Sequence, residues 1–309
     1  MNKNFNFWKR SALFFGGVVC TLLVIQLWGF TDEDKAGDDH YQAYVSDNYK
    51  VFSIPVPEKA DFAGEAVPLA QSDVRESLDR ELLVNTYWHS NTFLMIKKSN
   101  RWFPMIEQIL KEEGIPDDFK YLALIESGLS NVVSPAGATG FWQFMKSTGQ
   151  SYGLEISDEV DERYHAEKST RAACQYLKDA YAKHGSWSLV AASYNMGMAG
   201  VGKQLDRQKA DNYWDLLLND ETSRYVYRIL AVKEIMRDPG TFGFHIRPTD
   251  LYQPYETKSI QIDSTINDLA TWAQERGISY KTLKNHNPWL RDRSITIKSG
   301  QSYTLLLPA

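Results

Sequence analysis

Residues 119–145, FKYLALIESGLSNVVSPAGATGFWQFM, place one carboxylate, Glu126, between apolar neighbours and a glycine-containing loop. On a helix that begins near Pro116, positions 119, 122, 123 and 126 follow the i, i+3, i+4, i+7 spacing and share one face. Because the adjacent positions are apolar as well, this helix is predicted to be central to its domain. Burial disfavours the charged form of a carboxylate, so the pKa of Glu126 should be raised.

Two interpretations of Glu126 stay open on this pattern alone. A neutral carboxylic acid that can release its proton suits the protonation of a glycosidic oxygen. Alternatively, Glu126 is an ordinary residue of the last helical turn that points at water or pairs with Arg171 or Arg224. A glycine-containing loop is ordinary turn chemistry. Its combination with Glu-Ser upstream and with Gln143 in the following apolar run is more specific and favours the first interpretation.

Outward from this stretch, the sequence has a helical pattern from Ser72 to Phe244. Its amphipathic segments end at Gly or Pro-Gly, and no comparable strand pattern interrupts them. We therefore predict an all-α domain over residues 72–245. Residues 246–257 are predicted to be a linker, and residues 258–309 show the order strand, helix, helix, strand.

The N-terminus contains the uncharged run SALFFGGVVCTLLVIQLWGF at residues 11–30, with basic residues before it and acidic residues after it. These flanks predict a cytoplasmic N-terminus, with the remainder of the chain across the membrane. The run is close to the ~20 residues of a spanning helix and longer than the ~7–15 residues of a signal-peptide core. Residues 1–30 are therefore predicted to be an uncleaved membrane anchor, with a removed signal left open. The proline-bearing residues 31–71 are predicted to be a linker.

Composition narrows the function classes. The net charge is −5 with both signs interspersed, so no basic stripe points to a nucleic-acid partner. The 17 tyrosines and 9 tryptophans suit sugar-binding clefts as well as cores. The 6 histidines show no HExxH-like pairing, and Cys20 and Cys174 lie far apart. We expect no metal site, no disulfide framework and no cofactor.

Four motifs, ALIES, SPAGATGFWQFM, AASYN and ETSRYV, resemble in order and spacing the soluble lytic transglycosylase domain of the lysozyme superfamily, in particular its membrane-bound type D branch. The resemblance runs from about Trp102 to Phe244 and implies a lysozyme-like, all-helical catalytic domain. In that family the glutamate of the ES motif is the sole catalytic acid and base, which corresponds to Glu126. The residues that match the family's other motif positions, and are implied to bind substrate, are Ser134, Gln143, Met145, Tyr194, Asn195 and Tyr225.

The resemblance implies cleavage of the β-1,4 bond between N-acetylmuramic acid and N-acetylglucosamine in peptidoglycan, leaving a 1,6-anhydromuramyl end. Glycosidases usually need two carboxylates. The acidic cluster, defined as Glu155, Asp158, Glu159 and Asp161, could supply a second one, but its pattern is typical of a solvated surface. A lysozyme-like hydrolase and a catalytically silent glycan-binding scaffold stay open as alternatives.

The other motif residues also have ordinary structural interpretations. Tyr194 and Asn195 could serve helix-end packing and capping, and ETSRYVYRIL, with Glu221 and Tyr225, also fits a capped amphipathic helix. Trp142, where many family members carry a smaller residue, is expected to pack inside.

Residues 258–309 resemble a LysM domain, a small βααβ unit that binds N-acetylglucosamine-containing glycans. INDLATWAQERGISYKTLKNHNPWL and the closing YTLLLP carry this resemblance, whereas IDS at 262–264 replaces the usual glycine-aspartate. A glycan-binding module and a degenerate module packed on the catalytic domain both stay open. The expected partners are peptidoglycan strands and the membrane, and the expected location is the bacterial cell envelope, anchored in the inner membrane with most of the chain in the periplasm.

Overall fold

The computed structural model describes residues 51–309, together with residues 19, 21, 39–40 and 42–47. The predicted membrane anchor, residues 1–30, therefore lies outside the described residues except at positions 19 and 21. No helix within this described part is long and apolar enough to cross a membrane. The chain divides into the units 1–53 and 54–309, and the second unit contains every predicted site residue.

The region predicted to be all-α is helical, and the C-terminal region has the predicted strand, helix, helix, strand order. The elements, numbered here in chain order, are β1 (Asp61–Phe62), β2 (Glu65–Ala66), α1 (Ser72–Tyr87), α2 (His89–Glu112), α3 (Lys120–Ser127), α4 (Lys146–Ser151), α5 (Ala166–His184), α6 (Trp187–Met196), α7 (Met198–Gln208), α8 (Asp220–Arg237), β3 (Thr257–Ile262), α9 (Leu269–Gln274), α10 (Tyr280–His286) and β4 (Tyr303–Pro308). The prediction of a mainly α fold is confirmed.

Helix α3 lies in the centre of the helical domain, as its apolar pattern predicts. Phe119, Leu122 and Ala123, on the face that leads to Glu126, are fully buried. The helix ends at Gly128, whose φ of 57° is left-handed and whose N–H donates to the carbonyl of Leu124. Contacts with α2 and α8 fix α3 on both sides. This packing orients the last turn of α3, which carries Glu126.

The end of the predicted linker 31–71 is packed into the helical domain. Phe62 on β1 is fully buried, and its ring meets the ring of Phe119 edge-on at 5.3 Å. The N–H of Ala63 donates to Asp118 Oδ2 at 2.7 Å. Apolar residues in this segment have no regular period, so the sequence pattern does not reveal that they are buried. The linker interpretation is therefore corrected for residues 54–71.

Residues 246–257, also predicted to be a linker, are fastened along α2. Tyr252 N–H donates to the carbonyl of Lys97 at 3.2 Å, and Asn100 Nδ2 donates to the carbonyl of Tyr252 at 3.1 Å. The Arg101 side chain donates from Nε to the carbonyl of Gln253 at 2.8 Å. These bonds fix the path of the chain between the helical domain and the C-terminal module.

The C-terminal module is a two-stranded antiparallel sheet with two short helices. β3 pairs with β4 in a register that runs from Thr257 opposite Pro308 to Ile262 opposite Tyr303. Each helix begins at a capping side chain, Asp268 for α9 and Ser279 for α10. Its small core contains the fully buried side chains Leu269, Leu283, Leu290, Ile295 and Leu305.

The module is docked on the segment that precedes α5. Val160 is paired with Leu290 in an isolated bridge, and the backbone N–H of Asp161 donates to the carbonyl of Trp289 at 2.9 Å. Val160 is part of the module's own core cluster. The segment before α5 therefore contributes to the hydrophobic core of the module, and the two regions form a common interface.

Three members of the acidic cluster take part in this docking or support it. The Glu159 carboxylate accepts hydrogen bonds from the Thr296 N–H at 2.9 Å and the Thr296 hydroxyl at 3.0 Å. Glu155 accepts the hydroxyl hydrogen of Tyr303 at 3.0 Å, and Asp161 is 7% exposed. The expectation of a solvated acidic surface is wrong for these residues, because Glu155 and Glu159 bind residues far away in the sequence and Asp161 is buried against Arg163. Asp158 is exposed, as expected.

Candidate active site

Glu126 lies at the end of α3 and lines a cleft of about 500 Å³. Residues of α1, α2 and α8 form the other walls. Glu126 Oε1 accepts a hydrogen bond from the hydroxyl of Tyr225, which is almost completely buried on α8. One turn further along α8, Arg228 donates from Nη2 to the carbonyl of Ile125 at 2.9 Å. The carboxyl group is thus held by the element that packs directly against its helix.

Burial raises the pKa of Glu126 above its ordinary value, as the sequence predicts. The Tyr225 hydrogen bond and the charge of Arg228 act in the opposite direction, and the nearby carboxylate of Glu221 adds to the increase. Desolvation is the largest of these effects. A carboxyl group with this balance keeps more of its protonated form near neutral pH than an exposed glutamate does.

The alternative ion pairs considered for Glu126 do not form. Arg171 binds Glu112 and Glu113 instead. Arg224 Nε lies 2.7 Å from Glu81 Oε1. Neither arginine is therefore available to hold Glu126 as a structural salt bridge.

Two tyrosines flank Glu126. The Tyr194 hydroxyl donates to the carbonyl of Trp142 at 2.7 Å, which joins α6 to the loop after α3. Burial raises the pKa of Tyr194 and that of Tyr225 well above the ordinary value, and the charge of Glu126 raises both further. Both phenols therefore stay neutral and serve as hydrogen-bond donors.

The loop between α3 and α4 has an ordered backbone that its own side chains maintain. Ser134 Oγ accepts from the Ala138 N–H at 3.0 Å. The Gln143 side-chain amide donates to the carbonyls of Val132 at 3.1 Å and Gly140 at 2.8 Å. Gln143 has a φ of 49°, an uncommon left-handed conformation for a residue other than glycine. Such strain is often concentrated at functional sites, and it marks Gln143 independently of the sequence motif.

Arg163 supports this loop from the segment where the C-terminal module docks. Its Nη1 donates to the carbonyls of Gly137 and Phe144, each at 3.2 Å, while Asp161 binds the same guanidinium at 2.7 Å. The backbone carbonyl of Arg163 approaches Gly140 so closely that a Cβ there would lie 1.9 Å from it. Sequence reasoning missed Arg163, because nothing in its local pattern distinguishes it from a surface arginine.

The side-chain amide of Asn195 joins two helices, as its helix-end interpretation predicts. Its Nδ2 donates to Glu221 Oε1 at 3.0 Å, and its Oδ1 accepts from the Thr222 hydroxyl at 2.7 Å. Asn219 caps α8 by accepting from the N–H groups of Glu221 and Thr222. Asn195 therefore fastens α6 to the start of α8, beside a carboxylate that influences Glu126.

The seven predicted site residues are brought together to different degrees. Glu126 touches Tyr225, lies near Tyr194, and is linked to Asn195 through Glu221. Trp142 is fully buried, as expected, and the loop at Gln143 is tied to α3 by Ser127 Oγ, which donates to the carbonyl of Phe141 at 2.9 Å. Met145 is exposed, and of the seven residues only Glu126 lines the cleft of about 500 Å³ within residues 51–309.

Three basic side chains and a tryptophan also line this cleft. Lys98 on α2, Trp88 between α1 and α2, and the pair Arg224 and Arg228 on α8 all line it. Trp88 is 59% exposed, which leaves a flat apolar face accessible. Arg224 and Arg228 fall within ETSRYVYRIL, whereas no motif marks Lys98 or Trp88, because separate parts of the chain form the cleft.

Comparison with known proteins identifies two domains in the chain. Residues 103–217 match the family described as "Transglycosylase SLT domain", and residues 258–309 match the "Soluble lytic transglycosylase C-terminal LysM-like domain". The chain therefore carries a transglycosylase domain of this family and a LysM-like domain. Tyr225 and Arg228 lie beyond the first matched range.

The chain is also similar to curated proteins named "Membrane-bound lytic murein transglycosylase D" from Escherichia coli K12 and Escherichia coli O6:H1. Each is 28% identical to it over 239 residues, which is 75% of this chain and 51% of the relative. The chain thus spans about half the length of the curated relatives it matches. Among solved structures, the 70-kDa soluble lytic transglycosylase of Escherichia coli aligns with 58% of this chain and 33% of its own, at 18% identity and a TM-score of 0.40.

Proposed function

We propose that this protein is a peptidoglycan lytic transglycosylase in which Glu126 is the single catalytic acid and base. The observation that carries the proposal is the carboxyl group of Glu126, which has a raised pKa, a tyrosine donor and a position on a cleft inside a transglycosylase SLT domain. The names of the relatives and the LysM-like domain support murein as the substrate.

The other carboxylates near the site favour a mechanism with one carboxylate. Among the residues that the structure describes, only Glu81 and Glu126 bring carboxylates to the cleft lining. Glu81 is bound by Arg80 at 2.8 Å and by Arg224 at 2.7 Å, so it is already used as an ion-pair partner. The acidic cluster does not border this cleft, and most of it serves the docking described above. None of these groups is placed to act as a second catalytic carboxylate.

In the proposed reaction, protonated Glu126 donates its proton to the glycosidic oxygen as the bond from C1 of N-acetylmuramic acid breaks. The 2-acetamido group stabilises the electron-poor C1. The carboxylate of Glu126 then takes the proton of the C6 hydroxyl, whose oxygen closes on C1 and forms the 1,6-anhydro ring. Glu126 is thereby protonated again, and no water is consumed. The attacking oxygen belongs to the same sugar and is already close to C1, so the reaction does not need a second carboxylate as a nucleophile or to activate water.

Product mass tests this proposal directly. Purified peptidoglycan is digested with the full chain, and the muropeptides are analysed by mass spectrometry. We expect anhydromuramyl products without free reducing ends. Products heavier by one water molecule, with reducing ends, would establish the lysozyme-like hydrolase instead, and an absence of cleavage with retained glycan binding would establish the catalytically silent scaffold.

The proposed function also assigns residues to substrate binding and a location to the protein. The residues implied to bind the sugar chain are Ser134, Gln143, Met145, Tyr194, Asn195 and Tyr225. We further propose that the LysM-like module binds N-acetylglucosamine-containing glycan, although residues 289–296 of its surface are partly occupied by docking. We place the protein in the cell envelope, held at the inner membrane by residues 1–30, in keeping with the membrane-bound relatives.

A further inference from the structure

Two basic side chains in the Glu126 cleft form no salt bridge with the residues that the structure describes. Lys98 donates from Nζ to the hydroxyl of Ser130, and Arg228 donates to the carbonyl of Ile125. Within residues 51–309, no carboxylate oxygen lies within salt-bridge distance of either cation. The third cation of the cleft, Arg224, differs because it forms a salt bridge with Glu81.

This arrangement is unfavourable in the unliganded protein. Both side chains are partly buried, and desolvation lowers the pKa of Lys98. Lysine and arginine are usually well exposed unless they are paired, because removal of a charge from water is costly. The cleft would recover this cost by binding an anion.

The positions of the two cations indicate where such an anion would lie. Lys98 projects from α2 beside the residues that follow α3, and Arg228 projects from α8 beside the end of α3. Both line the same cleft as Glu126, and the side chains of Asn85, Asn91 and the exposed ring of Trp88 are also in its walls. Amide groups and an accessible aromatic face suit a sugar chain that carries the anionic group.

We propose that Lys98 and Arg228 form a subsite for a carboxylate carried by the glycan strand. This inference rests on the proposed function. Within peptidoglycan, the carboxylate could be the free lactyl group of a strand without peptides or a carboxylate of a peptide stem. A bound negative charge near Glu126 would also favour the protonated form of its carboxyl group, so that occupation of the subsite prepares the acid for proton donation.

Binding measurements on an inactive chain test the subsite without turnover. The full chain carrying Glu126→Gln is titrated with neutral chito-oligosaccharide, with peptide-free glycan strands that expose lactyl carboxylates, and with stem-bearing strands. Lys98→Gln should weaken the binding of carboxylate-bearing strands about tenfold, the size expected for one charge-assisted contact, and leave chito-oligosaccharide unchanged. If the affinity for peptide-free strands depends on Lys98, the bound carboxylate is the lactyl group. If only the affinity for stem-bearing strands depends on Lys98, the bound carboxylate belongs to the peptide stem.

Matched variants keep this test specific. Lys111→Gln removes a positive charge from the exposed end of the same helix and should change nothing. Lys98→Arg retains the charge and should restore most of the affinity. The proposal is overturned if Lys98→Gln weakens neutral and anionic ligands equally, or affects neither. Failure of the proposed function would be a distinct result. A parent chain that yields no anhydro product could still show the Lys98-dependent preference for carboxylate-bearing strands.

Discussion

The hydroxyl of Tyr225 donates a hydrogen bond to Oε1 of Glu126, although the two residues lie 99 positions apart in the sequence. The bond favours the ionised carboxylate, whereas burial favours the neutral acid. The protonation of Glu126 at a given pH therefore depends on how closely α8 packs against α3. This contact is the most direct point at which the tertiary structure can tune the proposed acid.

Removal of the Tyr225 hydroxyl should change the pH dependence of the reaction. Activity that needs protonated Glu126 declines as the pH rises through the pKa of this carboxyl group. Tyr225→Phe deletes the contact that lowers this pKa, so the decline should move to higher pH. The measurement is the rate of anhydromuropeptide formation across pH. Tyr227→Phe, on the same helix but bonded towards Ser77, is the control, and an unchanged decline in Tyr225→Phe would contradict the assignment.

Replacement of Glu126 by glutamine should abolish anhydro product while the fold is retained. The same substitution should change the free energy of unfolding in a direction that depends on pH. Because the folded state holds the Glu126 proton more tightly than the unfolded state, the contribution of Glu126 to the free energy of unfolding falls as the pH rises from its ordinary value of 4.5 through the raised value. Gln cannot ionise, so Glu126→Gln should gain stability relative to the parent over this window.

Denaturant unfolding at several pH values measures this difference. Glu76→Gln, an exposed carboxylate on α1, is the matched control and should follow the parent. Parallel stability curves for Glu126→Gln and the parent would show that Glu126 is not desolvated. Substantial residual cleavage by Glu126→Gln would show that another group is the acid.

Gly140 should be far less tolerant of alanine than Gly153. Both have left-handed φ values, 81° and 82°, so each substitution introduces strain of about 1 kcal/mol. Only at Gly140 would the new Cβ meet the carbonyl of Arg163, whereas nothing lies within 4 Å at Gly153. Thermal or denaturant unfolding should show a clearly larger loss for Gly140→Ala, together with reduced activity because the loop with Gln143 shifts. Equal losses would refute the close approach.

The docking of the C-terminal module should depend on Glu159. Glu159→Ala removes the acceptor of the Thr296 N–H and hydroxyl, and should lower the free energy of unfolding by about 1–3 kcal/mol. Asp158→Ala, the exposed neighbour, should change it by less than about 0.5 kcal/mol. Proteolysis between residues 246 and 257 should accelerate in Glu159→Ala alone. Resistance equal to that of the parent would mean that the apolar contact of Val160 with the core of the module is sufficient for docking.

Local patterns predicted the elements of this fold well. The buried face of α3 follows from the spacing of Phe119, Leu122 and Ala123, and the ends of the helices follow from their glycines. These features depend on residues within a few turns of one another, so periodicity is enough to reveal them. The segment around Phe62 and the docking acids lack any period, so the sequence predicts a linker for the first and a solvated surface for the second, although Phe62 is buried and Glu159 binds Thr296.

The sequence by itself determined that Glu126 lies on an apolar helix, followed by a glycine-containing loop, within a helical domain. Its motifs also identified Tyr225, Tyr194 and Gln143 as candidates. Only the tertiary structure decided that Tyr225 touches Glu126 and that Arg224 binds Glu81. It also decided that Lys98 and Arg228 line the cleft without a salt bridge to any residue in the described part of the chain. The physical reason is distance along the chain. Helical periodicity reports which side of a helix is buried, whereas the pKa of a carboxyl group depends on charges and donors that folding brings from other helices.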